Sequence, residues 1–131
     1  MAHFAELDSN NKVLRVVVGC NQDVAANGGD QSEQAAKHFE TTVPLSSNGV
    51  KWIQTSYNSN FRGIYAGKNC IYIPEIDKFI SAKPYASWTL DSNYVWQPPI
   101  AKPTDASKDA VWDEVNQCWL DYDENNNLIQ I

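Results

Sequence analysis

Apolar and polar positions alternate with a period of two over short stretches, and polar turn residues interrupt them often. That period places successive side chains on opposite faces of a strand, so the pattern predicts many short antiparallel strands joined by hairpins. Residues 4–7 and 12–18 flank Asp8-Ser9-Asn10-Asn11 and form the first predicted hairpin. In its second arm Leu14, Val16 and Val18 point one way, and Val13, Arg15 and Val17 the other. The charge of Arg15 marks that second face as only partly buried. Gly19 ends the strand.

Asn27-Gly28-Gly29-Asp30 breaks the chain before the one predicted helix, residues 31–40. Asp30 stands as its N-cap with Glu33 three residues on, as in a capping box. Ala35, Ala36 and Phe39 give the helix a narrow apolar stripe that suits packing on a sheet. Strand-like stretches resume at 52–57 and 61–66, the second with Arg62 and Gly63 inside it. Three more hairpins follow, with arms at 71–73 and 78–81, 87–90 and 94–97, and 110–113 and 117–121. A last turn at 123–127 leads into 128–131. The stretch from Gln97 to Asp109 holds Pro98, Pro99 and Pro103 and reads as an extended connector. The expected organisation is a β-rich domain over 1–97 with a short helix near 31–40, a Pro-rich connector over 98–109, and a C-terminal β-hairpin arm over 110–131. The fold class that results is mainly β (α+β): a small antiparallel sheet or sandwich built from successive hairpins, with one short helix.

Weak self-similarity runs through these turns. An apolar-acidic-turn-aromatic unit recurs at 75–79, 90–96 and 112–119, and Leu7-Asp8-Ser9-Asn10-Asn11 is echoed by Tyr122-Asp123-Glu124-Asn125-Asn126. The spacing is irregular, which speaks against a propeller or solenoid.

Length and charge narrow the function classes. At 131 residues the chain has room for one core of ordinary size. Ten Lys plus Arg against sixteen Asp plus Glu leave a net charge of -6. That argues against binding duplex DNA or anionic lipid, both of which reward basic surfaces. No apolar stretch approaches a membrane span, and the first ten residues lack the basic and apolar regions of a secretory signal. No nucleic-acid or membrane partner is expected.

Catalytic and metal-binding patterns are missing as well. Cys20, Cys70 and Cys118 are about fifty residues apart, without the close spacing of a zinc site, and read as small hydrophobes in a reducing compartment. His3 and His38 have no partner at metal-ligand spacing. Ala26-Asn27-Gly28-Gly29 lacks the Lys-Ser/Thr ending of a phosphate loop, and no Gly-x-Ser-x-Gly elbow occurs. Glu75, Asp77, Asp91 and Asp113 lie in predicted turns, where a solvated acid is the expected residue rather than half of a hydrolytic pair. Asp121-Tyr122-Asp123-Glu124-Asn125 opens like a calcium loop, but its sixth position is Asn126 where such a loop needs glycine. The chain reads as a non-enzyme, with no catalytic, cofactor or metal residues and no cofactor.

The aromatic residues are harder to set aside. Tyr85, Trp88, Tyr94, Trp96, Trp112 and Trp119 crowd into one short region. Buried, they form the core of a thin fold; exposed, they stack on sugar rings. The segment from 105 onward is too small to bury its own core. Its Trp112, Trp119, Leu128, Ile129 and Ile131 therefore need cover from the preceding sheet or from another chain. Trp88, Trp96, Trp112, Trp119, Ile129 and Ile131 are the candidate interface.

Taken as a block, Lys51-Trp52-Ile53-Gln54-Thr55-Ser56-Tyr57-Asn58 followed by Phe61-Arg62-x-x-Tyr65-Ala66-Gly67 resembles a stretch that recurs in small proteins of marine tailed bacteriophages, especially those of cyanobacteria. Tyr72-x-x-x-x-Asp77-x-Phe79-Ile80, then Lys83-Pro84-Tyr85-x-Ser87-Trp88-x-Leu90 and Trp96, fit the same pattern. So does the opening Met1-Ala2-His3-Phe4-Ala5-x-Leu7-Asp8. The likeness covers about residues 1–105, and the segment beyond matches only as a Trp-containing hairpin. It implies a virion-associated structural protein without enzymatic activity, made in the host cytoplasm, and transfers no site residue. The expected role is capsid decoration or cement, or a neck or tail accessory. Its expected partners are major virion proteins and possibly a second copy of itself as a homo-oligomer. The alternative is a carbohydrate- or receptor-binding module of a phage fibre that uses an aromatic platform.

Overall fold

A computed structural model describes all 131 residues. The chain is a mainly β, α+β protein of small antiparallel sheets with two helices. It divides into two compact units, Met1–Ala82 and Lys83–Ile131. The division falls ahead of the third hairpin, not at the proline connector, so the hairpin around Trp88 and Trp96 belongs with the C-terminal segment.

Unit 1 is built on a three-stranded antiparallel sheet of order β2-β1-β3, with β1 at Ala2–Leu7, β2 at Val13–Gly19 and β3 at Lys51–Thr55. As the central strand, β1 is covered on both faces. Ala2 and Phe4 lie in one apolar cluster with Val24, Ala35, Phe39 and Trp52, brought by helices α1 (Asn21–Ala26) and α2 (Glu33–Thr42) and by β3. The Phe4 and Phe39 rings stack at 4.3 Å. Ala5 and Leu7 lie in a second cluster with Val13, Ala66, Tyr72 and Phe79. That side is supplied by residues 56–70 and by the hairpin of β4 (Ile71–Ile73) and β5 (Lys78–Ile80), joined by a single 3-10 turn at Pro74–Ile76.

Several local expectations change. The predicted helix starts later, and its N-cap is Ser32, whose hydroxyl accepts from the Ala35 amide at 3.0 Å; Asp30 instead accepts from Gln54 Nε2. Gln31 stands between them with φ 68°, outside any helix. The additional helix α1 has one buried residue, Val24, too few to leave a period in the sequence. Strict alternation along β2 also fails. Leu7 pairs with Val13 but Glu6 with Arg15, so Leu14 is an extra residue, and this bulge moves Val13 onto the face of Val16. Residues 61–66 are not a strand, because Arg62 at φ 56° and Gly63 at φ 73° turn the backbone away from extended geometry. A side chain at Gly63 would also meet the Phe79 carbonyl at 2.8 Å.

Unit 2 carries the two-stranded hairpin of β6 (Thr89–Leu90) and β7 (Trp96–Gln97). It also holds a three-stranded antiparallel sheet of order β10-β9-β8, formed by β8 (Val111–Asp113), β9 (Cys118–Tyr122) and β10 (Leu128–Gln130). One turn design recurs across both units. Asp8, Asp91 and Asp123 each accept, through Oδ1, from the amides two and four residues on, at 2.8 to 3.0 Å. The residue between, Asn11, Tyr94 or Asn126, is left-handed at φ 60° to 62°. An acid that satisfies its own turn amides and a residue that accepts positive φ are what a short bulged hairpin loop requires.

Candidate interaction surface

Four aromatic residues of unit 2, Tyr85, Trp88, Trp112 and Trp119, form one cluster. Trp112 and Trp119 are a direct cross-strand pair between β8 and β9, with ring centroids 5.4 Å apart. Trp88 sits against both, at 6.3 and 6.4 Å, and Tyr85 against Trp88 at 5.6 Å. Trp112 and Trp119 are only 6% and 8% exposed. Their indole N–H groups donate to Glu114 Oε1 at 2.8 Å and to the Ile100 carbonyl at 2.8 Å. Lys102 Nζ lies 5.6 Å from the Trp119 ring centroid.

Two short segments pack on this cluster by the same device, which the sequence analysis missed. Ala82-Lys83-Pro84-Tyr85-Ala86-Ser87 and Ala101-Lys102-Pro103-Thr104-Asp105-Ala106-Ser107 are variants of one motif. Each ends in a serine that gives both its amide N–H and its hydroxyl to a single carboxylate. Ser87 donates to Glu114 at 2.9 and 2.6 Å, and Ser107 to Asp121 at 2.8 and 2.6 Å. These serine hydroxyl bonds hold the proton affinity of both acids below the ordinary carboxylate range, with the nearby charges of Lys83 and Lys102 adding to the effect. The motif itself was legible; its acid partner, 27 or 14 residues downstream, was not.

Unit 1 contains the same clamp around a fully buried acid. Glu6 accepts from the Ser46 amide at 2.6 Å, the Ser46 hydroxyl at 2.7 Å and Arg15 Nε at 2.9 Å. Burial alone pushes the Glu6 pKa up, but the bonds from Arg15 and Ser46 outweigh it and the net shift is downward. A side chain at Gly49 would come within 2.5 Å of the same carboxylate, so the close passage of this loop requires glycine.

A second network joins Arg62, a half-exposed Asp77 and Tyr72. Arg62 donates to Asp77 at 2.9 Å and to the carbonyls of Gln54 and Gln31, and the Tyr72 hydroxyl donates to Asp77. Burial first, then the bond to Asp77 and its charge, pushes the Tyr72 pKa up to about 12. Asp77 is raised by burial but brought below its usual value by Tyr72 and Arg62. Asp91 and Asp113 are also lowered, chiefly by the Val95 amide and by the Asn116 side chain. Every carboxylate with a resolved shift is thus stabilised as an anion by a turn or clamp partner, which suits structural acceptors rather than proton donors near neutral pH.

The six candidate interface residues separate into two groups. Trp112 and Trp119 are interior to unit 2, and Trp88 and Trp96 are half-buried, so these rings do not form an open platform. Ile129 and Ile131 are 44% and 45% exposed and are brought together by β10 and its continuation. On the opposite face of the same sheet the structure exposes Leu128 and Tyr122, which are direct cross-strand partners, and Val111 on β8. The strand β10 has an open edge, since it pairs only with β9. The three cysteines are free thiols, with Cys20 exposed and Cys118 buried. Comparison of the chain with protein families, with curated proteins and with solved structures gives no match.

Proposed function

We propose that the protein is an accessory structural component of a phage particle, on the capsid surface or at the neck or tail, and that it acts by contact with a major virion protein. The particle context rests on the resemblance of the residue pattern to small proteins of marine tailed phages. Action by contact is supported by one observation above the others: β10 leaves Leu128, Ile129 and Ile131 exposed along an open strand edge, while the tryptophans beside it are turned inward.

Such an edge binds by strand addition. Asp123 donates its amide to the Asn127 carbonyl, and Ile131 donates to the Trp119 carbonyl. Hydrogen-bonding direction alternates along an antiparallel strand, so Leu128 and Gln130 direct their N–H and C=O groups away from β9. A partner strand laid there would complete those groups and cover the exposed aliphatic side chains. The net charge of -6 suits a position away from packaged DNA. The role is non-enzymatic, with the perturbed acids serving as clamps and turn acceptors.

Add-back to particles that lack the protein tests this reading. Purified wild-type chain is expected to co-sediment with such particles, and an Ile129→Lys, Ile131→Lys variant to remain in the supernatant while keeping its circular dichroism. Equal recovery of both, or of neither, contradicts the proposal.

A further inference from the structure

The two edges of the unit 1 sheet are treated differently. Leu7 gives its carbonyl to the Val50 amide, on the β3 side of β1. Alternation along β1 then turns His3 and Ala5 toward β3, and Phe4 and Glu6 toward β2. It follows that Gln54, opposite Phe4 on β3, faces outward. Its carbonyl is capped by Arg62 Nη1 at 3.2 Å, and Lys51 stands exposed at the start of the same strand. A capping arginine and an edge lysine are ordinary protections against unwanted strand pairing.

On β2 the same reasoning makes Arg15 and Val17 bond to β1, and leaves Val16 and Val18 directing N–H and C=O outward. The chain covers this edge only at its beginning: the Val13 amide donates to the Cys70 carbonyl, and the Asn69 amide to the Val13 carbonyl. Past that point no protection remains. The one charged residue of the strand, Arg15, is drawn inward to Glu6, to the Pro44 carbonyl and over the Trp52 ring, 5.2 Å from its centroid. What is left is Val16-Val17-Val18, uncharged, with Val18 50% exposed.

We infer that β2 is a docking strand for a second copy of this chain, paired antiparallel about a two-fold axis through Val17. The sequence is self-complementary in that register. Val16 faces Val18 of the other copy, Val17 faces Val17, and the small Gly19 faces Arg15, so no like charges meet. The outward groups of Val16 and Val18 then exchange hydrogen bonds with Val18 and Val16 of the second copy, and the two sheets become one continuous sheet of six strands. A strand of another protein would need its own matching pattern; a second copy supplies it by symmetry. Because this edge lies in unit 1, the inference does not depend on the role proposed for β10.

Sedimentation analysis of the full chain across a concentration series tests it. The wild type is expected to reach about twice its 14.7 kDa mass, and Val18→Lys to stay at the monomer mass with unchanged circular dichroism. Val17→Cys in a Cys20→Ser background is the second test. Position 17 is a non-hydrogen-bonded pair on the axis, with Cα atoms about 4.5 Å apart, within disulfide reach. A covalent dimer is expected on mild oxidation. A wild type that is monomeric at every concentration, a dimer that persists in Val18→Lys, or a dimer that Val17→Cys fails to cross-link overturns the inference.

Discussion

The two units reach order by different means. Unit 1 sandwiches a central strand between two apolar clusters, so Phe4 on one face and Leu7 on the other are both removed from water by their own chain. Unit 2 has no strand covered in that way. It gathers Trp88, Trp112 and Trp119 at one place and ties the surrounding segments down with serine-carboxylate clamps. Burial scales with apolar area, whereas a clamp contributes through the few polar groups it satisfies. A unit assembled from large rings and clamps is therefore sensitive at a few positions and leaves aliphatic residues such as Leu128 and Ile129 exposed. Unit 1 spreads its stability more widely, and its exposed feature is the short uncharged edge at Val16-Val17-Val18.

The sharpest way to break this comparison is to remove one ring. Trp112→Ala in unit 2 should cost about 3–5 kcal/mol, since the lost indole contacted Trp88 and Trp119 and held Glu114. Hydrogen exchange should find protection lost across β8 and β9; retained protection there would mean that the rings are not what holds the sheet. Next in size is the buried clamp of unit 1. Glu6→Ala leaves the Ser46 amide without its carboxylate and Arg15 without its counter-ion, and should cost about 3 kcal/mol in urea titration. Gly49→Ala should resemble it, because the added methyl displaces the same carboxylate.

Acid should affect unit 1 in a defined direction. Glu6 and Asp77 have folded pKa values below their ordinary values of 4.5 and 3.8. Their contribution to stability is therefore fully present above those values and is lost as pH falls through the lower folded values. The melting temperature should decline below about pH 4.5, and the decline should be shallower in Glu6→Gln. An unchanged slope in that variant would remove Glu6 from the account. The smallest effects belong to Ser87→Ala and Ser107→Ala, each of which removes the hydroxyl of a clamp but leaves its amide in place. Each should lower the unit 2 transition by less than Trp112→Ala does, and the two should be additive in thermal melts because they address different acids.

The turns were the most legible part of the fold. Asp8, Asp91, Asp123 and the residues after them declare hairpins because the chemistry is local: an acid accepts amides two and four residues on, and an Asn or Tyr accepts the left-handed position. What escaped sequence reading depends on distant partners or on small irregularities. The bulge at Leu14 shifts Val13 to the other face without any Gly or Pro to announce it. Helix α1 has too few turns to carry a period, and Ser32 displaced Asp30 as cap because Asp30 is engaged by Gln54. The paired Ala-Lys-Pro segments gain their meaning only from Glu114 and Asp121. In the candidate surface, aromatic density located the Trp cluster but did not say which way the rings face. The aliphatic residues of β10 were visible as costly to leave wet, and they are the ones left exposed.

The most direct test of the central claim is quantitative mass spectrometry of gradient-purified phage particles from infected cells. The account predicts this chain in the particle fraction at a fixed ratio to a major virion protein, preserved through repeated purification. Its presence in the lysate but absence from the particles would contradict the account.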